Sequence, residues 1–233
     1  MIKSFLILIS FSIFLHSSQQ IILVVSNDFN TSYAKLECFE DGKTIFKSIN
    51  VNIGKKGLGW GLGNITLTKN KLDPIKKEGD KKAPIGVFKL SSVYGYSKQN
   101  NFHMPYLHAN KKLICVDDSD SKHYNKIIHM PEVRPKSFEF MKRDDAQYEL
   151  GVVVEHNSDA LSQRGSCIFL HVQKSKDSGT AGCTAMKLSD LKKIVSWLDI
   201  DKKPILIQIP KSSSKEILKL YPELRSSEIL KSD

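Results

Sequence analysis

The feature of this sequence that most limits its fold is a succession of short apolar runs separated by turn-forming residues. Each run is four to eight residues long, and Gly, Pro, Asn or Asp stands between neighbouring runs. Runs of this length predict strands, because a helix of a soluble domain needs a longer segment with helical periodicity. The predicted strands span residues 21–26, 33–38, 44–51, 65–68, 86–92, 113–117, 150–156, 166–172 and 204–209. The sequence therefore predicts a mostly β domain, built as a sandwich or a barrel.

One segment near the C-terminal end has the periodicity of an amphipathic helix. Its apolar face is formed by Leu191, Ile194, Val195 and Leu198. Ser189 is placed to cap this helix. A second helix is predicted over residues 213–221, within a polar tail of residues 211–233 that need not belong to the core. The predicted fold class is therefore mostly β with one or two short helices.

The N-terminus has the three parts of a secretory signal. A basic start at Met1–Lys3 precedes an apolar stretch, Ser4–Leu15, that is too short to span a membrane, and a polar exit follows. We expect residues 1–20 to be the signal, cleaved near Ser18, with an uncleaved anchor as the alternative. No later stretch is long and apolar enough to span a bilayer. We therefore expect an exported protein with one domain at residues 21–210.

The chain is strongly basic, with a formal net charge of +10. Eight lysines lie in the segment from Lys55 to Lys82, so much of the positive charge is concentrated there. Such a face suits nucleic acid, anionic lipid or an anionic wall polymer. Export and the lack of arginine-rich runs argue against nucleic acid. A lysine face that is merely solvated is the simpler interpretation.

Four cysteines, Cys38, Cys115, Cys167 and Cys183, would permit two disulfides in an exported protein. We expect no disulfide framework, because the first three lie in strand-like runs and the chain lacks the cysteine density of small stapled domains. Zinc is disfavoured as well, since the sequence holds no Cys-x-x-Cys and no His-x-x-x-His.

The strongest chemical signal is a cysteine between small residues, in the sequence T-A-G-C-T-A at residues 180–185. It follows an apolar run that ends in His171, twelve positions before Cys183. A thiolate nucleophile needs a base, open space and free backbone N–H groups. His171 is the candidate base, and Gly182 supplies space. The alternatives for Cys183 are a buried apolar cysteine or a disulfide-bonded one.

Cys167 is the competing thiol, on the predicted strand that ends in His171. The two side chains share a face of that strand but lie about 13 Å apart, at about 3.3 Å per residue. A catalytic pair must come within hydrogen-bond reach, so we predict that Cys167 packs in the core and that Cys183 is the nucleophile. His156 ends a neighbouring predicted strand, and we interpret it as a structural residue rather than the base.

Two further regions carry candidate residues. Residues 57–63 have a glycine at every second position, which predicts a flexible loop that presents Trp60 and covers a substrate. A long polar region contains Tyr124, Arg134 and the segment Met141–Asp145. Long ordered loops on a β scaffold often carry function, so both regions are candidate parts of a site.

These segments together resemble the YkuD-type L,D-transpeptidase family. The histidine strand has the form G-S-x-I-F-L-H at residues 165–171, and the nucleophile segment has the form T-x-G-C-x-A at residues 180–185. These two segments are typical of one branch of the family, which the chain resembles most. That branch also carries six further motifs, G-L-G-W-G, E-G-D-x-x-A-P-x-G-V-F, C-V-D-D, H-Y-N, M-x-R-D-D and G-V-V-V-E-H-N, here at residues 57–61, 78–88, 115–118, 123–125, 141–145 and 151–157. The resemblance covers residues 22–210 and implies an L,D-transpeptidase-like β-sandwich or barrel.

The resemblance implies an enzyme of the bacterial periplasm or cell envelope whose partners are peptidoglycan stem peptides. Cys183 would attack the carbonyl of the L-centre of a third-position diamino acid, and His171 would carry the proton to the departing D-alanine. Backbone N–H groups near Gly182 and Cys183 would stabilise the oxyanion. An amine of a second stem would resolve the thioester and form a cross-link, with no metal and no organic cofactor.

The chain departs from the wider family pattern around the nucleophile. Ala181 replaces a histidine, and Ala185 stands where an arginine is usual. Because guanidinium binds a carboxylate in a planar fork, we expect another arginine, Arg143 or Arg164, to contact the substrate, with Arg134 as a third candidate. The alternative for Arg143 is an ion pair with Asp144 or Asp145 on the surface. The predicted substrate-binding residues are Trp60, Tyr124, Arg143, Arg164, Thr180 and Thr184.

Two other functions fit the same sequence features. One is a hydrolase of the same fold, either an L,D-carboxypeptidase or an enzyme that cuts links between protein and wall. The other is a wall-binding module without chemistry. A transpeptidase and a hydrolase differ only in whether an amine or water resolves the thioester, so the same nucleophile and base serve both.

Overall fold

The computed structural model describes residues 18–231 and confirms a mostly β fold. Two α-helices lie within that range, α1 at Leu188–Trp197 and α2 at Ser214–Leu220. The predicted signal at residues 1–20 lies almost wholly outside the described residues. The strands are β1 Gln20–Ser26, β2 Tyr33–Glu40, β3 Lys43–Asn52, β4 Leu58–Trp60, β5 Ala83–Gly95, β6 Tyr106–His108, β7 Leu113–Cys115, β8 Ile127–His129, β9 Glu139–Phe140, β10 Leu150–Val154, β11 Phe169–Val172, β12 Thr184–Met186 and β13 Ile205–Pro210.

Eight strands close into a barrel, which is the frame of the fold. Their hydrogen-bonded order is β10-β11-β12-β3-β2-β1-β13-β5, and β5 also pairs with β10 to complete the ring. The pairs β1–β13 and β11–β12 are parallel, and the other pairs around the ring are antiparallel. Closure gives each strand of the ring a partner on both sides, so the apolar strand faces can surround one core.

The alternating glycines of residues 57–63 serve close packing rather than flexibility. Leu58–Trp60 forms β4, which pairs with the start of β5, and Trp60 is only 5% exposed. A Cβ atom at Gly57 would lie 2.0 Å from the carbonyl oxygen of Phe29, and one at Gly63 would lie 2.4 Å from that of Val87. The prediction of a flexible loop that presents Trp60 is therefore wrong, because each glycine lets another segment approach the backbone.

A small sheet, in the order β8-β7-β9, packs against the barrel and is tied to it by a disulfide. The bond joins Cys115 at the end of β7 to Cys167, 52 residues later, with the two Cα atoms 6.0 Å apart. The expectation of no disulfide is therefore wrong, and Cys167 is not a free core cysteine. It lies before β11 with a φ of +54°, so its side chain does not follow the strand alternation that we assumed. Cys38 and Cys183 are the free cysteines of the described residues.

The C-terminal tail packs onto the barrel rather than extending from it. After α2, a 3-10 turn at Pro222–Ser226 contacts β3, and Leu224 within it is fully buried. The hydroxyl of Ser227 donates to Glu37 of β2 at 2.7 Å. The expectation that this tail need not belong to the core is therefore wrong for its described part, because a few apolar side chains in a polar sequence suffice to anchor it.

Two local predictions, the cap of the first helix and a short strand, differ from the structure. The helix α1 begins at Leu188, and its N-cap residue, Lys187, makes no side-chain cap, so Ser189 is not the cap. The predicted strand at residues 65–68 is reduced to one bridge between Ile65 and Val87. Within residues 18–231, no helix combines the length and the apolar composition that crossing a membrane requires.

The buried tail generates a stability prediction. Leu224→Ala should lower the free energy of unfolding by about 2–4 kcal/mol, because it leaves a cavity where a fully buried side chain packs. Leu220→Ala is the matched control, since Leu220 is 48% exposed, and should cost less than about 0.5 kcal/mol. Urea unfolding of both variants measures the difference. Equal stabilities would contradict the packing of the tail.

Candidate active site

Cys183 lies immediately before β12, at the end of a loop that is anchored to the barrel. The Thr180 N–H donates to the Ile53 oxygen at 2.8 Å, and the Lys55 N–H donates to the Thr180 oxygen at 2.9 Å. The Thr180 hydroxyl donates to the Cys183 carbonyl oxygen at 2.6 Å and accepts from the Gly182 N–H at 3.1 Å. The loop therefore delivers Cys183 into β12 from a fixed position, and the side chain of Thr180 has a local structural role.

His171 lies in β11, and the parallel pairing of β11 with β12 brings it beside the nucleophile segment. The register pairs His171 with Ala185, two residues after Cys183. Residues two positions apart along a strand direction project to the same face. His171 and Cys183 accordingly line the same cavity, which has a volume of about 460 Å³.

The hydrogen bond of the His171 ring fixes which nitrogen can act as a base. Its Nδ1 lies 2.8 Å from the carbonyl oxygen of Val172, and because a carbonyl oxygen only accepts, Nδ1 carries the proton. The Nε2 atom then has the free lone pair. Burial lowers the pKa of His171 to about 4, so the ring is neutral at physiological pH.

The thiol of Cys183 is held by the backbone of the segment before and within β11. Its Sγ donates to the carbonyl oxygen of Cys167 at 3.4 Å and accepts from the N–H of Phe169 at 3.3 Å. Burial, and after it the negative charge of Glu139, raise the pKa of the Cys183 thiol to about 12. The resting site therefore holds a neutral thiol and a neutral imidazole rather than an ion pair, so proton transfer has to accompany nucleophilic attack.

Four acidic residues line the cavity beside Cys183, namely Glu78, Asp117, Glu139 and Asp145. Glu139, on β9, accepts a hydrogen bond from the Tyr148 hydroxyl at 2.5 Å, and the Tyr148 ring packs against His171 with centroids 5.3 Å apart. Burial raises the pKa of the Glu139 carboxyl. Among the described residues, no group of three His, Cys, Asp or Glu side chains is arranged to hold a metal ion.

Glu139 is the functional candidate that sequence reasoning missed. It stands two residues before the Met141–Asp145 segment, which is a candidate part of the site by sequence, and Asp117 lies inside the C-V-D-D motif at residues 115–118. Neither carboxyl has a spacing to Cys183 that sequence could reveal. The pairing of Cys115 with Glu139 across β7 and β9 is what carries Glu139 to the cavity.

Of the predicted carboxylate-binding arginines, Arg143 reaches the cavity. Its guanidinium lies 5.0 Å from the centroid of the Tyr148 ring and forms a two-pronged contact with Asp145, at 2.9 and 2.6 Å. Arg164 and Arg134 do not line this cavity. Arg143 is about one-third exposed, so its pairing with Asp145 does not remove it from the reach of a substrate.

Three other predicted substrate-binding residues lie away from the cavity. Trp60 lines a different cavity, of about 570 Å³, and its Nε1 donates to Asp73 at 2.9 Å. Thr184 is buried and its hydroxyl donates to Gln208 of β13 at 2.6 Å. Tyr124 is also buried, and its hydroxyl donates to Glu78 at 2.5 Å. Trp60 and Thr184 therefore belong to the packed fold, whereas Tyr124 positions a carboxylate of the cavity.

The basic segment between Lys55 and Lys82 reaches the same cavity. Lys55, Lys76 and Lys81 line it, and Lys76 is buried in an ion pair with Asp80 at 2.6 Å. The interpretation of a merely solvated lysine face is therefore wrong for Lys76. Cationic and anionic side chains therefore line the cavity together with Cys183.

Comparison with known proteins matches the chain to one family. The family model YkuD, an L,D-transpeptidase catalytic domain, matches residues 19–207 of the chain. The match includes β1 to β12, the first half of β13 and both Cys183 and His171. No curated protein and no solved structure shows significant similarity to the chain.

The electrostatics of the site generate a titration prediction. Glu139→Gln should lower the pKa of the Cys183 thiol, because it removes a negative charge that opposes formation of the thiolate. The measurement is the pH dependence of iodoacetamide alkylation at Cys183, followed by peptide mass mapping. Glu132→Gln is the control, since Glu132 is exposed and lies outside the cavity. A pKa that stays unchanged or rises in Glu139→Gln would contradict the prediction.

Proposed function

The chain belongs to the YkuD family of L,D-transpeptidase catalytic domains, enzymes that act on peptidoglycan, and from this we propose that it is a cysteine-nucleophile L,D-transpeptidase of stem peptides. The observation that carries the proposal is the placement of Cys183 and His171 in one cavity with the Nε2 atom of His171 unprotonated. We also propose export to the periplasm or cell envelope, where that polymer is found.

In the proposed acylation step, the Sγ atom of Cys183 attacks the carbonyl carbon of the L-centre in the third residue of the stem. The thiol proton passes to Nε2 of His171 as the carbon–sulfur bond forms. The bond to the terminal D-alanine then breaks, and its amine leaves with the proton that His171 returns. The product is a thioester of Cys183. A neutral thiol and a neutral imidazole suit this order of steps, because the thiol proton is transferred only as Cys183 attacks the carbonyl carbon.

Deacylation uses the same groups in reverse. An amine of a second stem gives a proton to His171 and attacks the thioester carbonyl carbon, which forms the cross-linking amide and returns the thiol. The oxyanion of both steps needs backbone donors. The Gly182 N–H already donates to the Thr180 hydroxyl, so we assign the oxyanion contact first to the N–H of Cys183. Gly182 contributes backbone geometry, with a φ of +155° that a residue with a side chain rarely adopts.

We assign the substrate carboxylate to Arg143. The family places an arginine close after the nucleophile, where this chain has Ala185, and Arg143 is the arginine among the predicted candidates that lines the cavity. Its partner Asp145 holds the guanidinium plane and leaves one-third of the side chain exposed. A guanidinium can bind a carboxylate through two parallel hydrogen bonds, which an ammonium cannot reproduce.

A hydrolase of the same fold is the second candidate, and one observation favours it. Transfer requires that water be partly excluded from the thioester. Trp60, which was predicted to cover the substrate, is buried at a different cavity, so no cover over Cys183 comes from residues 57–63. With water as the acceptor, the same thioester would give a free tripeptide, the product of an L,D-carboxypeptidase.

Product analysis tests the proposed reaction and its acceptor. Given tetrapeptide stems, the wild-type protein should form a thioester adduct and a cross-linked dimer that has lost one alanine, both detected by mass spectrometry. Cys183→Ala should reduce product formation by at least about 1,000-fold. Cys38→Ala is the matched control, because Cys38 is a buried free cysteine outside the cavity. Free tripeptide as the sole product at high acceptor concentration would favour the carboxypeptidase, and activity in Cys183→Ala would exclude both functions.

Arg143→Lys tests the carboxylate contact. It should lower kcat/KM for the tetrapeptide stem by about 10-fold, since lysine keeps the charge but loses the planar fork. Arg134→Lys is the control, because Arg134 is exposed and lies outside the cavity. The measurement is the initial rate of D-alanine release over a range of stem concentrations. Equal kcat/KM values for the two variants would remove Arg143 from the site.

A further inference from the structure

We propose that the Cys115–Cys167 disulfide is a positioning element for Cys183 and makes the active site sensitive to thiol reductants. When the disulfide is intact, it holds the Cys167 carbonyl oxygen against Sγ of Cys183 and the small sheet against the cavity. When the disulfide is reduced, neither the carbonyl oxygen nor the small sheet is held in this way. The inference rests on the proposed nucleophilic role of Cys183, and it adds a control of that residue by two cysteines that take no part in the chemistry.

The first step of the argument is the direct contact between the disulfide-bonded residue and the nucleophile. The carbonyl oxygen of Cys167 accepts the hydrogen bond of the Cys183 thiol at 3.4 Å. The other contact of Sγ, from the N–H of Phe169, comes from two residues further along the same segment. The position of the nucleophile therefore depends on where residues 167–169 lie.

The second step is that the backbone of Cys167 needs support from outside its own segment. Its φ of +54° places it in the left-handed region, which residues with a side chain avoid unless their surroundings hold them there. Two contacts do so in the described structure. The Cys167 N–H donates to Oδ1 of Asn125 at 2.9 Å, and its Sγ is bonded to Cys115. Both partners belong to the small-sheet region rather than to the barrel.

The third step concerns the small sheet itself. Its strands β7, β8 and β9 have only two or three residues each, and such a sheet has little stability without outside support. Cys115 stands opposite Glu139 in the β7–β9 pair. The disulfide therefore also fixes the distance from the Glu139 carboxyl to the nucleophile.

The fourth step is access for a reductant. Cys115 and Cys167 are buried, yet both line a second cavity of about 290 Å³, and Cys167 also lines the cavity that holds Cys183. Cys167 thus borders both cavities. A small dithiol such as dithiothreitol can attack one sulfur, form a mixed disulfide and leave as its cyclic disulfide. Two electrons and two protons then pass to Cys115 and Cys167, which become thiols.

Opening the disulfide should affect the thiol and the catalysis in opposite directions. The thiol loses an acceptor that favours its neutral form and gains distance from Glu139, whose charge opposes the thiolate. The Phe169 N–H, Lys76 and Arg143 favour the thiolate, and none of them lies in the small sheet; Phe169 stays in β11 through its pairing with β10. The thiolate therefore becomes easier to form. We expect the pH midpoint of Cys183 alkylation to fall by about one unit. The attack geometry is lost at the same time, so kcat should fall by about 10-fold or more, with a smaller change in KM.

The experiment compares oxidised wild type, wild type reduced with dithiothreitol, Cys115→Ser and the control Cys38→Ala. Iodoacetamide alkylation of Cys183 is measured against pH by peptide mapping, which needs no substrate and so does not depend on the proposed reaction. D-alanine release supplies kcat and KM. Circular dichroism checks that each form is folded. If Cys115→Ser does not fold, the test rests on the comparison of oxidised with reduced wild type.

The proposal predicts a lower alkylation midpoint and a lower kcat in reduced wild type and in Cys115→Ser, with Cys38→Ala like wild type. Oxidised glutathione should restore both properties to the reduced wild type and neither to Cys115→Ser. An alkylation midpoint that does not move on reduction would overturn the proposal and leave a stabilising cross-link only. Free thiols at Cys115 and Cys167 in the isolated oxidised protein would overturn it as well.

Discussion

The parallel pairing of β11 with β12 is the contact on which the site depends. Parallel strands need a crossover between them, and here the connection is the short loop from residue 173 to residue 183, which carries the nucleophile at its end. The register of this single pair decides that His171 and Cys183 face one cavity. The rest of the barrel keeps the register fixed, because β10 and β3 hold the outer edges of the pair. A shift of one residue would turn either side chain to the opposite face.

The sequence predicted the parts of the site that depend on local structure. His171 ends an apolar run and Cys183 lies between small residues, so strand and loop patterns were enough to select them. Glu139 and the disulfide were missed because they depend on the small sheet, whose two- and three-residue strands carry no periodicity. The fold class followed from the runs, but the order of strands around the ring depends on contacts between distant segments. The polar tail was misread because Leu224 and its few apolar neighbours are widely spaced.

The site keeps both His171 and Cys183 uncharged, which a cysteine nucleophile does not require by itself. Burial suppresses the charges of both His171 and Cys183, and Glu139 opposes the thiolate further. The cationic groups around them, among them Arg143 and Lys76, act in the other direction on the thiol. The balance in the free protein therefore favours the neutral thiol.

The glycines of residues 57–63 mark the packing of the fold rather than the chemistry of the site. A side chain at Gly57, Gly61 or Gly63 would collide with atoms of neighbouring segments at 2.0–2.7 Å. A variant of this chain that lacks Cys183 would still need these glycines, because the contacts that exclude a side chain there do not involve the thiol. A search with this stretch alone would therefore detect the fold and not the nucleophile. Cys183 and His171, rather than the glycines, carry the proposed chemistry.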